Sequence, residues 1–399
     1  MTETKTSPVV NATPEQGDQK KDAGTLENTP YNQTVNNKYR NAATIANDAL
    51  KTVIKATVEG ASVRDLCRLG DQFIVDECSK LFKGTKFLKG ISMPTCVSVN
   101  NCACHFSPLL EDPDVILKSN DVVKIDLGAH LDGYIATAAH TTVVGASAEK
   151  KVTGRVGDAL VAANKCIEAG MRMIKSNGAY NTSDLNRVFT KITESYGVNM
   201  VENMVSHQLI HNEIHGDKAI VQNPGPEQRD KIVKFTFDSY DVFALDILLT
   251  TGPGVLRPGE TRTTVFKKST DKFYSLKLKT ARAVYSEAST KFGSMPFALS
   301  ALENQSKAKI GITQCAKHGV MEPYHVMWER DGEFVVQLKA TIIILPGGVT
   351  KIAGLPIEES MVESSKQIQD PEVLEILKTG LKVKKENVPV AQPAAEKAL

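Results

Sequence analysis

The chain has 399 residues, of which 41% are hydrophobic and 24% charged, ordinary proportions for a soluble globular protein. A formal net charge of +2 is too small to attract a polyanion by itself, so any nucleic-acid contact must rest on locally concentrated charge. No apolar run reaches the about 18 residues of a membrane span, and seven cysteines, an odd number, behind a polar N-terminus point to free thiols in a reducing compartment.

Residues 1 to about 36 hold few large apolar side chains and cannot offset their ordering entropy, so they read as a disordered tail. From Lys38 the apolar residues Ala42, Ile45, Ala46, Ala49, Leu50, Val53 and Ile54 recur at three- and four-residue spacing, which predicts a helix ending at Gly60. Ser62-Val63-Arg64-Asp65 resembles a capping box and opens a second helix. Residues 90 to 108 read as strand and loop, turning at Asn100-Asn101. Cys102-Ala103-Cys104-His105 lacks the paired second half of a structural zinc site, and strand alternation would set His105 opposite the two cysteines.

The stretch KIDLGAHLDGYIATAAH, residues 124 to 140, predicts two strands joined at Asp132-Gly133, a strong hairpin signal. Its buried strand carries Asp126, and a carboxylate in a core must be paired, hydrogen-bonded or metal-bound. Two helices follow, Val156 to Ile174 and a second one capped by Thr182-Ser183-Asp184. Two helices then lead into sheet again, as they did earlier, which suggests two related halves. His207, His211 and His215 share i, i+4 spacing, but Ser206 and Gly216 place them on loops and strands rather than on a metal-binding helix. Val242 to Thr251 is an apolar strand interrupted by Asp246.

Residues 264 to 291 carry seven positive and two negative charges, a local net of +5. A solvated helix face accounts for most such runs, and contact with a polyanion is the functional alternative. Phe273, Tyr274, Tyr285 and Phe292, interleaved here, read as core. Phe334 to Leu345 is the last strong strand and carries Lys339 in its middle. Three strands therefore each bear one inward ionisable residue, which predicts a mixed α/β protein with a central sheet whose pocket gathers two carboxylates, a lysine and several histidines, the usual materials of a metal hydrolase.

Eight motifs in chain order carry a family resemblance: FLKGISMPTCVSVNNCACHFSP, VVKIDLGAHLDGYIATAAHT, MVSHQ, AIVQNP, VFALDILL, TRTTVFKK, MPFALSALE and QCAKH. Over residues 37 to 360 the chain resembles type 2 methionine aminopeptidases. It resembles more closely their non-peptidase relatives, the proliferation-associated and ErbB-receptor-binding proteins and the curved-DNA-binding protein. The resemblance implies a pita-bread fold: two pseudo-symmetric halves of antiparallel sheet covered by helices, with a helical insert at about 264–325 and a C-terminal helix and flexible tail over 361–399.

In the aminopeptidases two Asp, one His and two Glu hold two metal ions. By resemblance these positions fall on Asp126, Thr137, His207, Asp246 and Lys339, and the histidines that assist the substrate fall on His105 and His215. Both bridging carboxylates are thus replaced, one by a hydroxyl and one by an ammonium. The resemblance implies a pseudoenzyme with no metal and no cofactor, in which Lys339 pairs with Asp126 or Asp246. It also implies association with ribosomes, rRNA and regulatory proteins, roles in ribosome biogenesis, translation and growth control, and a cytoplasmic protein with a nuclear and nucleolar pool. Lys267, Lys268, Lys272, Lys277, Lys279 and Arg282 on the insert, with Lys218 on a neighbouring loop, are the candidate RNA contacts. Where the animal relatives carry a long lysine run, this chain has Lys378, Lys382, Lys384 and Lys385, so tail-driven RNA binding is not expected. Binding of curved DNA, and a residual aminopeptidase with one metal at Asp126, His207 and Asp246, are the alternatives.

Overall fold

The computed structural model describes residues 26–383. The expected tails over 1–25 and 384–399 lie outside the described residues. Its helices are α1 (Gln33–Ala56), α2 (Val63–Lys80), α3 (Gly154–Met173), α4 (Thr182–Tyr196), α5 (Lys279–Phe292), α6 (Gln305–Lys317) and α7 (Pro371–Lys378). The strands are β1 (Lys89–Val99), β2 (Cys102–Cys104), β3 (Val122–Leu131), β4 (Tyr134–Val143), β5 (Asn199–Met200), β6 (Val205–Gln208), β7 (Ala219–Val221) and β8 (Val242–Thr250). They continue with β9 (Arg257–Pro258), β10 (Val265–Lys268), β11 (Phe297–Ala298), β12 (Met321–Tyr324), β13 (Met327–Trp328), β14 (Val335–Leu345) and β15 (Gly348–Ala353).

A nine-stranded antiparallel sheet runs β1-β3-β4-β14-β8-β6-β7, with β15 beside β14 and β5 beside β8. Helices cover one face. Ile125 and Leu127 of β3 pack with Leu50, Val53 and Ile74 of α1 and α2. Leu245, Ile247 and Leu249 of β8, with Leu338 and Ile342 of β14, pack with residues of α3, α4 and α7. The period of two along each strand sends the alternate residues to the opposite face. The polar and charged residues of β3, β8 and β14 that break the apolar pattern lie on that face, away from these helices and buried.

Several local devices differ from the sequence expectation. Helix α1 begins at Gln33, five residues before Lys38, because the Asn32 side chain accepts from Thr34 N and caps it. Order therefore starts inside the stretch read as a disordered tail. The same helix ends at Ala56, ahead of Gly60. Ser62 caps α2, its hydroxyl accepting from Asp65 N at 3.1 Å. The cap of α4 is Asn181, one residue before the expected Thr182: its side chain accepts from Asp184 N while Asp184 accepts from Asn181 N, a reciprocal capping box. The hairpin turns at Asp132 and Gly133, both at positive φ (56° and 76°), the backbone this two-residue turn requires.

The insert is not purely helical. Helices α5 and α6 pack on the three-stranded sheet β11-β10-β12, with Phe266, Val284, Ala288, Phe297, Ile312 and Cys315 in a core of their own. Phe292 stacks on Phe297, as expected of a core ring. Phe273 and Tyr274 do not belong to that core: they are 87% and 44% exposed. Their loop, 269–278, buries Leu276 instead, and one anchor suffices for a short excursion between strand and helix.

Candidate functional site

The site is built from two neighbouring rows of residues that cross the sheet. In the first row Asp126 pairs with Ala139, Ala139 with Lys339 and Lys339 with Asp246, across β3, β4, β14 and β8. Residues in register share a face, so all four point to the side away from the covering helices. Ala139, between Asp126 and Lys339 in the row, has only a methyl group. The Lys339 ammonium lies 2.7 Å from Asp126 Oδ2 and 3.1 Å from Asp246 Oδ2. One cation thus bridges two carboxylates.

The second row lies two residues along each strand. Gly128 pairs with Thr137 on β4, and His207 of β6 pairs with Ala244 of β8. Thr341 of β14 accepts from Thr137 N and donates to Thr137 O, which joins the two halves of the row. Gly128 has a specific reason to be glycine: a Cβ there would stand 2.6 Å from Ser92 Oγ and 2.8 Å from Thr137 Cγ2.

Histidines and a tyrosine form the wall. His105 leaves β2 at φ 63°, which breaks strand alternation, so its ring is not simply opposite the cysteines. Its Nδ1 lies 3.0 Å from His325 O, and its ring meets Tyr324 edge-on at 5.2 Å. His215 Nε2 lies 2.9 Å from the Tyr324 hydroxyl, and its ring is 4.5 Å from that of His207. His211 is turned away, stacked on Tyr134 at 4.6 Å. The structure therefore gathers His105, Asp126, Thr137, His207, His215, Asp246 and Lys339 around one cleft.

Electrostatics follow from burial. Desolvation works against the Lys339 charge, but Asp126 and Asp246 outweigh it and hold the ammonium above its usual range. Burial raises Asp246 despite Lys339. Burial, reinforced by the Lys339 charge, pushes His207 down to about 3. Burial, with His207, Lys267 and Lys339 adding to it, sets His215 well below the imidazole range, and burial lowers His105 as well. Burial thus favours the neutral form of all three histidines in the wall. Asp126 Oδ1, Thr137 Oγ1 and His207 Nδ1 are buried without a hydrogen-bond partner among the described residues, so the floor keeps unmet polar capacity.

Gln337 escaped the reading of the sequence. Its Nε2 donates to Asp246 Oδ1 at 2.9 Å and Oδ2 at 3.1 Å, and lies 3.4 Å from Asp126 Oδ2. The signal was available: Gln337, Lys339 and Thr341 are i, i+2, i+4 on one strand and so share its polar face. Tyr324 had no such signal, because β12 reaches the cleft only through the insert.

Two residues placed among the RNA contacts lie elsewhere. Lys267 is 5% exposed, and its ammonium is 2.8 Å from Glu213 Oε1, so it belongs to the cleft wall. Lys218 is held 2.6 Å from both Asp238 and Asp241, which neutralise it. Lys268 sits 5.4 Å over the Tyr285 ring. The Arg282 guanidinium donates to Leu276 O at 3.1 Å and Lys277 O at 2.7 Å. Lys272, Lys277 and Lys279 are exposed and make no ion pair among the described residues.

A model of metallopeptidase family M24 matches residues 37–268. The chain belongs to that family. Proliferation-associated protein A of Dictyostelium discoideum is 39% identical over 355 residues, 89% of this chain and 91% of its own. The curved DNA-binding protein of Schizosaccharomyces pombe is 36% identical over 362 residues, covering 90% and 93%. Among solved structures a thermophilic Arx1 superposes with a TM-score of 0.82 at 30% identity, covering 87% of this chain and 98% of that one. The pita-bread fold and the resemblance to the proliferation-associated branch are borne out.

The family name implies a metal centre, and the residues of this M24 chain do not fit one. A dinuclear site needs several anionic ligands. Here the floor offers two carboxylates, already bridged by an ammonium, with a threonine hydroxyl in the neighbouring row. A divalent ion between Asp126 and Asp246 would have to displace Lys339, or stand a few ångström from its charge at a cost on the order of several kcal/mol.

Proposed function

We propose that this M24 protein is a catalytically silent scaffold that binds ribosomes through structured RNA and acts in ribosome biogenesis, translation and growth control. One observation carries the first half: the Lys339 ammonium occupies the space between Asp126 and Asp246 that a metal would need. Without a metal-bound water the neutral histidines have no activated nucleophile to assist. The internal ion pair keeps the sheet face charge-balanced and the fold intact.

The second half is supported by what the resemblance to the proliferation-associated branch implies and by the exposed lysines of the insert. Lys272, Lys277 and Lys279 stand on a lobe with its own core, and such a surface meets phosphates by counterion release. These contacts give affinity and little sequence specificity. A protein acting on ribosomes and their assembly would divide between cytoplasm, nucleus and nucleolus.

The test has two arms. Recombinant protein is expected to take up no cobalt or manganese and to release no methionine from a peptide, whereas two bound equivalents with turnover would overturn the silent-scaffold reading. One bound equivalent with turnover would favour the single-metal reading at Asp126, His207 and Asp246. In the other arm, K272E/K277E/K279E should weaken ribosome co-sedimentation and reduce its salt slope by about 0.7–0.9 per lost phosphate contact. Unchanged co-sedimentation would overturn the RNA surface. The name of the fission-yeast relative favours curved DNA as the second reading, and competition between structured RNA and bent DNA at matched salt decides it.

A further inference from the structure

We propose that the 269–278 loop is a stacking platform for an unpaired RNA base: the base lies on Phe273, and Lys272, Lys277 and Lys279 hold the phosphates on either side. The inference rests on the RNA-binding reading above and names the form of RNA that the insert selects.

Phe273 is 87% exposed, more than any other large hydrophobic side chain among the described residues. A ring so placed contributes almost nothing to the core. It is also not on a loose segment. Leu276 anchors the loop in the insert core, and the Arg282 guanidinium holds the carbonyls of Leu276 and Lys277. Ser269 N donates to Val320 O at 3.1 Å. The Tyr274 ring stacks on His318 at 3.8 Å with 8° between planes. The Lys272 stem runs against Gly319, where a Cβ would come within 2.9 Å of Lys272 Cδ. Both ends and the middle of the loop are therefore fixed, and Phe273 is displayed rather than released. A preorganised ring loses little entropy on binding.

Charge chooses the partner. Lys272 adjoins the ring, Lys277 and Lys279 follow it, and none has a carboxylate partner among the described residues. An apolar protein pocket closing on Phe273 would have to desolvate those ammonium groups without compensation. A nucleotide offers both halves at once, a π-face for the ring and phosphates for the cations. Bases inside a duplex are stacked on one another and cannot reach the ring, so the ligand is a bulge, a loop or a single strand. Next to Phe273 in sequence, the half-exposed Tyr274 is held against the insert by its stack on His318.

The experiment compares a short hairpin RNA carrying one bulged nucleotide with its fully paired counterpart, by fluorescence anisotropy on the full chain at matched salt. The wild type should prefer the bulged RNA. F273A should lose about tenfold or more of that affinity, leaving the paired RNA and the salt slope unchanged and the melting temperature intact. F273W should keep the preference, and its added fluorescence should be quenched by the bulged RNA alone. K272E/K277E/K279E should weaken both RNAs and lower the salt slope. If F273A binds the bulged RNA as the wild type does while the lysine variant is weakened, the platform is wrong and the RNA surface stands. If neither variant is weakened, both are wrong. Equal losses on bulged and paired RNA for F273A would also overturn the stacking role.

Discussion

The cleft floor and the insert loop use the same residue type to opposite ends. Lys339 and Lys267 are buried, and each faces a carboxylate within 3 Å, so their charge is spent inside the molecule. Lys272, Lys277 and Lys279 stand in water without an ion pair among the described residues, so their field reaches outward. Lys267 and Lys272 are five residues apart in one basic run, yet they fall on opposite sides of this division. The difference teaches that a lysine's role follows from what its strand or loop sets opposite it, and that a local charge count sums two kinds of residue that do not act together.

The sharpest way to break the contrast is to remove the buried cation. K339A leaves Asp126 and Asp246 facing each other unneutralised and should cost about 3–5 kcal/mol in chemical denaturation at pH 7. A loss below about 1 kcal/mol would mean that the floor is not held by this pair. The double variant T137D/K339E rebuilds carboxylates in both rows and should bind manganese in equilibrium dialysis if it folds. The same variant without uptake would show that more than these two replacements dismantled the site.

Acid comes next. His207 is held near 3 and His130 and His140 near 4 by burial, against 6.5 for the free side chain. Between those values the unfolded chain takes up protons that the folded chain refuses. Stability should therefore be complete above pH 6.5 and fall as pH drops toward 4, by up to about 1.4 kcal/mol per pH unit for each such group. Lys339 acts with the other sign. Its pKa is raised, so its contribution persists at neutral pH and is lost in strong alkali. A melting temperature that stays flat from pH 7 to 4 would contradict the burial of these histidines in neutral form.

Smaller effects sharpen the comparison from the other side. Asn181→Ala removes the side-chain oxygen that accepts from Ser183 N and Asp184 N at the α4 cap and should cost about 1 kcal/mol, measured by urea denaturation. K272E/K277E/K279E should move stability by no more than about 0.5 kcal/mol, because these exposed ammonium groups make no ion pair among the described residues. A large loss there would make them structural and would remove them from the binding surface.

Much of the architecture was legible in the chain itself. Strand periodicity located β3, β8 and β14, and Asp-Gly located the hairpin. Charges within the apolar runs marked Asp126, Asp246 and Lys339 as residues that needed partners, and β3 also buries Lys124, whose ammonium donates to Asn100 O. These readings succeed because they depend on neighbours in sequence: the period of two, the positive φ of a turn, the cost of a lone buried charge. The helix ends came out shifted, since a cap depends on which side chain folds back, and Asn32 and Asn181 outcompeted the residues beside them. Tertiary structure alone decided the rest. Register across four strands set Lys339 between both carboxylates and brought Gln337 to them. The fold of the insert turned Lys267 inward and Phe273 outward. Periodicity tells which face a side chain takes on its own strand. What lies opposite that face comes from residues as far as 213 positions away, and there Lys339 found its two carboxylates.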